Sequence, residues 1–157
     1  MKTKAMKPLI FIFCLCLSPI LTAQNTNQNK IQEAMANYDY ETAIELINKE
    51  KPTIPLLMQQ AKALKGIGNN AEALRVIRQV ITADSTNQQA HIEAAECCKA
   101  MAKYNDALDY YRKTITLNPK NKYARLQFIN LLCNTKNYAE AFGESSMMSE
   151  TDSSAVV

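Results

Sequence analysis

Apolar side chains in this chain recur at helical spacing. Leu57, Ala61 and Leu64, and then Ala73, Leu74, Ile77, Val80 and Ile81, step mostly by three and four, which puts each set on one face of a 3.6-residue helix. Between the two sets lies Gly66-Ile67-Gly68-Asn69-Asn70, a run of turn-forming residues. The pattern predicts two short amphipathic helices joined by a tight turn. No segment alternates apolar and polar residues over a length that would line a half-buried strand. The chain reads as all helix.

The same pattern returns every 34 residues. Ala73, Ala107 and Ala141 keep that interval, each followed by a large apolar residue (Leu74, Leu108, Phe142) and preceded by an acid (Glu72, Asp106, Glu140). Asn70, Tyr104 and Tyr138 share it, as do Leu64, Cys98 and Leu132, and Ala61, Ala95 and Ile129. Breaks between units fall at Asp84-Ser85-Thr86-Asn87 and Asn118-Pro119-Lys120-Asn121. Upstream, Ile31, Ala34, Tyr38, Tyr40, Ala43 and Ile47 outline a first unit, but Ala43 precedes Ala73 by 30 residues, so the loop around Lys51-Pro52-Thr53-Ile54-Pro55 is expected to be short. The units run at about 28–53, 54–87, 88–121 and 122–153. Thr151 to Ser154 fall where the next turn is due, and Ala155-Val156-Val157 would open a fifth unit without a polar cap, so we expect a truncated version of a longer array.

These residues resemble the tetratricopeptide repeat family, with its 34-residue helix-turn-helix unit. The third unit matches best, through Ala94-Ala95, Cys98, Tyr104, Ala107, Tyr111 and Pro119. The second offers Leu57, Ala61, Leu64, Ala73 and Ile77, with Ser85 where proline is usual, and the fourth offers Phe128, Leu132, Tyr138 and Ala141. Ile129 replaces a small residue and Ser145 a large one, which predicts looser packing in the fourth unit. The resemblance implies an all-α fold of antiparallel helix-turn-helix repeats stacked into a right-handed solenoid. It also implies a concave groove lined by first-helix positions: Met58, Lys62 and Lys65; Ile92, Glu96 and Lys99; Tyr123, Leu126 and Asn130. Family members that grip a terminal carboxylate use basic residues at set groove positions. Ile92 and Glu96 occupy two of these here, which argues against that mode.

Residues 1–23 differ from the rest. Lys2, Lys4 and Lys7 precede the apolar run Leu9–Leu17, followed by Pro19 and Thr22-Ala23, the layout of a secretory signal peptide cut after Ala23. The run is too short for a spanning helix, which needs roughly 20 apolar residues. Cys14 and Cys16 follow Phe13 and Leu15 rather than small residues, so no lipoprotein signal is read. Export to the periplasm or outer envelope is therefore expected, with residues 24–157 forming the repeat domain. Loss of the leader removes three of the 18 Lys and Arg and leaves a balance with the 15 acids, a poor footing for nucleic-acid binding.

The chemistry of catalysis is sparse. His91 is the single histidine and falls in a packing slot of the repeat, while Glu93 with Glu96 and Asp106 with Asp109 read as solvated helix faces. Cys97-Cys98 lacks metal or redox spacing, and three glycines build no phosphate cradle. No enzyme activity, cofactor or metal is expected. Cys97, Cys98 and Cys133 read first as small buried hydrophobes, with a bridge from Cys133 to Cys97 or Cys98 left open. The functional expectation is an exported scaffold that binds a protein or peptide in its groove. Two alternatives stand beside it: an accessory region at the start of a larger envelope enzyme or receptor, and a structural protein that self-associates through Phe142, Met147 and Met148 at an uncapped end.

Overall fold

Each first helix of the later units starts on a side chain built to cap it. Thr53, Asn87 and Asn121, 34 residues apart, accept hydrogen bonds from the backbone N–H groups of Leu56, Ala90 and Ala124. Each satisfies one of the donors a helix start leaves unpaired. The computed structural model describes the backbone of residues 18–153 and the side chains of residues 27–148. The apolar run Leu9–Leu17, with Cys14 and Cys16, and the segment Ala155–Val157 lie outside the described residues.

Eight helices and no strand occur among the described residues: α1 Ser18–Ala36, α2 Tyr40–Ile47, α3 Ile54–Gly66, α4 Asn70–Ala83, α5 Gln88–Ala100, α6 Tyr104–Leu117, α7 Lys122–Asn134 and α8 Tyr138–Ser153. They fall into two compact units, α1–α2 and α3–α8. In the first, α1 packs on α2 around Ile31, Ala34, Ala43 and Ile47, and the Asn27 amide donates to Glu50 Oε1 at 2.8 Å. In the second, α3–α4, α5–α6 and α7–α8 form three hairpins, each packed on the next through α4 with α5 and α6 with α7.

The turn inside each hairpin is the same. Tyr38, Gly68, Ala102 and Lys136 are left-handed, with φ of 60°, 80°, 58° and 63°. After each, the next N–H reaches back to the carbonyl of residue 34, 64, 98 or 132, and the left-handed residue's own N–H bonds that of residue 35, 65, 99 or 133. This is a Schellman closure, which needs a left-handed residue just past the helix. Only Gly68 meets the need without strain, since a left-handed residue bearing a Cβ costs about 1–2 kcal/mol. Ala102→Gly is expected to raise stability by roughly 0.5–1 kcal/mol, the relieved strain less the extra freedom of the unfolded chain. Gly68→Ala should lose a similar amount, although its Cβ would meet open space. Thermal melts of the two variants should move in opposite directions, and a lower Tm for Ala102→Gly would refute strain at this turn.

Small residues let the helices approach. Ala61, Ala73, Ala90, Ala94, Ala95, Ala107 and Ala124 are buried, and Ile77, Val80, Tyr111, Phe128 and Leu132 fill the spaces between them. Several expectations change. Leu56, not Leu57, is the buried residue at the start of α3, because Leu56 shares the 34-residue register of Ala90 and Ala124 on the side facing the core. The first unit is short in its second helix rather than its loop: α2 has 8 residues against 14 in α4 and in α6. Pro52 disfavours helix at Lys51 before it, so the helix stops early and Thr53 caps the next. The turn expected at Thr151–Ser154 is helical through Ser153, a stretch without proline or glycine. Phe142 is 76% exposed, unlike its buried counterparts Leu74 and Leu108, because no described helix packs over it.

Candidate functional site

The nine residues expected along the groove lie on α3, α5 and α7, the first helices of the three hairpins, and all but Tyr123 keep the 34-residue register: Met58 with Ile92 and Leu126, Lys62 with Glu96 and Asn130, and Lys65 with Lys99. One row is apolar: Met58 is half-buried, Ile92 is 8% exposed and Leu126 is 47% exposed. Ile92 thus belongs mainly to the core, its side chain enclosed by the middle hairpin's neighbours, while Leu126 on the last hairpin reaches solvent together with Tyr123, 51% exposed. Lys62 and Asn130 are exposed, and Lys65, Glu96 and Lys99 are half-buried.

The polar members are tied to one another across hairpins. Lys65 Nζ donates to Glu93 Oε2 at 2.5 Å, and the Gln89 amide donates to the other oxygen of the same carboxylate at 2.9 Å. Lys99 Nζ lies 2.8 Å from Glu96 Oε2 and donates to Gln127 Oε1 at 3.1 Å. The Tyr111 hydroxyl donates to Glu96 Oε1, and Tyr123 donates to the same oxygen at 3.1 Å. Lys65 to Glu93 and Lys99 to Gln127 each span 28 residues, so one staple is used at both hairpin junctions. Glu93, Gln127, Gln89 and Tyr111 were not among the expected groove residues. The signal for the first two was their shared register.

Burial works to raise the Glu96 carboxyl, but Lys99 and the Tyr111 and Tyr123 hydroxyls outweigh it and hold the group below its ordinary value. Burial, reinforced by the Glu96 charge, pushes the Tyr111 phenol up. The pair Glu93 and Glu96 is thus two separately bonded carboxylates rather than a shared-proton pair. On the second helices Arg112 bonds Asp109 at 2.8 Å and Glu140 at 3.0 Å, and Arg78 Nε donates to the Tyr110 hydroxyl at 3.2 Å.

The three cysteines among the described residues are free, and they differ. Cys97 and Cys98 are buried as expected, and burial pushes the Cys97 thiol up to about 11, far from a reactive thiolate at neutral pH. Cys133 is exposed, which overturns its reading as a core residue: it occupies the register of Lys65 and Lys99, on the face those lysines share. His91 is buried as the packing slot implied, and its Nε2–H donates to the Ser85 carbonyl at 3.0 Å. It borders a depression of about 370 Å³ whose other walls are Arg78, Asp106, Asp109, Tyr110 and Lys113. Among the described residues no three His, Cys, Asp or Glu side chains converge to hold a metal ion. No described helix is long and apolar enough to cross a membrane.

No family model matches the sequence, and no curated protein does. Solved structures do. The chain is similar to MamA, with a TM-score of 0.75 and 16% identity over 89% of this chain and 87% of that one. It is similar to a tetratricopeptide repeat protein from Parabacteroides merdae, with a TM-score of 0.75 and 19% identity, covering 84% of this chain and 54% of that one. It is also similar to the first tetratricopeptide domain of Spaghetti (RPAP3) bound to an HSP90 peptide, with a TM-score of 0.65 and 17% identity over 71% and 91% of the two chains. At such identities the likeness speaks for the fold alone. The fold is a solenoid of antiparallel helix-turn-helix tetratricopeptide repeats.

Proposed function

We propose that this chain is an exported, non-enzymatic scaffold that binds a peptide segment of another protein along the first-helix face of α3, α5 and α7. The observation that carries the reading is the pairing of exposed apolar and internally satisfied polar groups on that face. Tyr123 and Leu126 stand open to solvent, while Lys65 and Lys99 are already bonded to Glu93 and Glu96. Open apolar side chains flanked by polar groups are what a peptide's own apolar side chains dock onto.

The pairing also bears on which peptide. Two proteins of this fold hold acidic peptides, SRMEEVD on the first Spaghetti domain and SGPTIEEVD on the second RPAP3 domain. An acidic tail on this face would have to displace Glu93 and Glu96 from the lysines and would meet their repulsion. The partner that fits is a neutral segment with apolar side chains. Export to the periplasm or outer envelope is part of the same reading. It rests on the order of Lys2, Lys4 and Lys7, the apolar run Leu9–Leu17 and Ala23, and the exported protein should begin at Gln24 on N-terminal sequencing.

Fluorescence anisotropy with labelled peptides tests the binding. Neutral apolar peptides selected from a display library should bind, SRMEEVD should bind at least about tenfold more weakly, and Leu126→Glu should weaken the selected peptides by about tenfold or more. Selected peptides indifferent to Leu126→Glu, or a preference for SRMEEVD, would sink the reading.

A further inference from the structure

Two ion pairs hold α8 in place: Arg112 of α6 with Glu140 at 3.0 Å, and Arg125 of α7 with Glu144. One repeat earlier the same registers give Arg78 with Asp106 and His91 with Tyr110, and neither pair is closed in that way. Asp106 is one methylene shorter than Glu140, and Arg78 turns its Nε–H to the Tyr110 hydroxyl instead. His91 donates its Nε2–H to the Ser85 carbonyl, as Arg125 donates to the Pro119 carbonyl in the next unit. With Nε2 as the donor, Nδ1 is an acceptor, and it is buried with no hydrogen-bond partner. The Tyr110 ring, in the register of Glu144, lies 6.1 Å from the imidazole and offers it no charge. A buried acceptor left unpaired is costly, and the chain supplies no donor for it.

The open junction is the depression of about 370 Å³ between α4, α5 and α6. Among the described residues, the two terminal nitrogens of Arg78, the Lys113 ammonium and the Tyr110 hydroxyl hydrogen have no acceptor. The Asp106 carboxylate is likewise unbonded, and its place in the first turn of α6 favours the ionised form. Asp109 is committed to Arg112 at 2.8 Å. The depression is thus left with two positive groups and one negative group.

We infer that this depression binds a small zwitterion, a free amino acid or a dipeptide. Its carboxylate lies on Arg78, Lys113 and the Tyr110 hydroxyl, and its ammonium is taken by Asp106. The Tyr110 ring stands beside the buried His91 Nδ1, and its turn toward the carboxylate opens that second acceptor to the ammonium. A simple anion would be set against Asp106, and a simple cation against Arg78 and Lys113. A ligand carrying both charges close together meets each with its opposite. The volume is at the lower end of the roughly 300–1,000 Å³ of small-ligand sites, which suits a molecule of this size. Arg78, Asp106 and Lys113 are exposed and screened by water, so a Kd in about the millimolar range is expected. The site lies away from the α3, α5 and α7 peptide face and does not depend on the peptide reading.

His91 is the chain's single histidine, so its imidazole proton and nitrogen resonances report on this depression alone. L-alanine and L-alanyl-L-alanine, titrated into the untagged full chain, should shift these signals saturably, with a Kd of about 1 mM for the better of the two. Their N-acetylated and C-terminally amidated forms should bind at least about tenfold more weakly, and Arg78→Gln and Asp106→Asn should each weaken the free forms to the same degree. Arg75→Gln, which removes an exposed cation of α4 outside the depression, should change nothing. The three substituted side chains are exposed, so circular dichroism should show the parent's helix content in each variant. The absence of a saturable shift up to about 20 mM overturns the proposal. Blocked forms that bind as well as the free ones, or inorganic phosphate that binds as tightly as the better ligand, overturn the zwitterion. An affinity indifferent to both Arg78→Gln and Asp106→Asn overturns the placement.

Discussion

Phe128→Ala is expected to cost about 3–5 kcal/mol, the range for truncating a buried phenylalanine. Phe128 is 1% exposed on α7, and the Arg112 guanidinium of α6 sits 5.2 Å from its ring centroid. In the preceding hairpin the same register position is Ala94, also buried. The last junction is therefore filled by one large side chain, and its loss leaves a cavity that the flanking helices cannot close without shifting both. Domains of ordinary stability hold about 5–15 kcal/mol, so the variant should lie near the edge of folding at 37 °C. Leu126→Ala, two residues away but half in water, should cost under about 1 kcal/mol. Urea unfolding followed by circular dichroism distinguishes them, as a fall in midpoint with little change in slope. A loss below about 1 kcal/mol for Phe128→Ala would mean that α7 is not held to α6 through this ring.

Turns and helix starts were legible because they depend on local chemistry. Asn87 and Asn121 sit in runs of turn-forming residues, and each caps the helix that follows. The turn at Gly66–Asn70 could be read from its two glycines. The equivalent turn at Ala102 was visible only through the 34-residue interval, since alanine there carries no turn signal and the left-handed backbone is imposed by helices packing on either side. Burial was less legible than helicity. A helical period gives a face, but whether Leu56 or Leu57 points inward depends on the rotation of α3 against α4. Phe142 shows the same limit: its spacing is that of Leu74 and Leu108, and only the presence of a covering helix separates the buried members from the exposed one.

On the candidate face, register placed the residues in rows but did not reveal the bonds between rows. Lys65 reaches Glu93 and Lys99 reaches Gln127 because successive hairpins are offset by most of a repeat, a geometric quantity that no single helix pattern contains. Ile92 and Leu126 share a row yet differ widely in exposure, since the middle hairpin has neighbours on both sides and the last has a described one on only one. Cys133 was misplaced for a related reason. Its residue type favours burial, while its register, that of two lysines, pointed to the surface.

Glu96→Ala should be the most disruptive change on that face, at about 2 kcal/mol, because it removes the acceptor from a buried donor. Tyr111 is fully buried and its hydroxyl donates to Glu96, so without the carboxylate that O–H is stranded in the core. The Lys99 partnership adds less, its side chain being 35% exposed and screened by water. Glu96→Gln keeps an acceptor and should lose less than half as much. Proton linkage separates charge from packing. Lys99, Tyr111 and Tyr123 hold the Glu96 carboxyl below its ordinary value of 4.5 despite burial, so the unfolded chain takes up its proton first as pH falls. The stabilisation from Glu96 should be complete above about pH 4.5 and fade as pH drops through the lower folded value. Unfolding free energies of the parent and Glu96→Gln should therefore differ at pH 7 and converge under acid. A gap that stays constant to pH 3 would assign the carboxylate a role in packing rather than charge, and would leave Lys99 free to accept the acidic peptides that the paired face is expected to refuse.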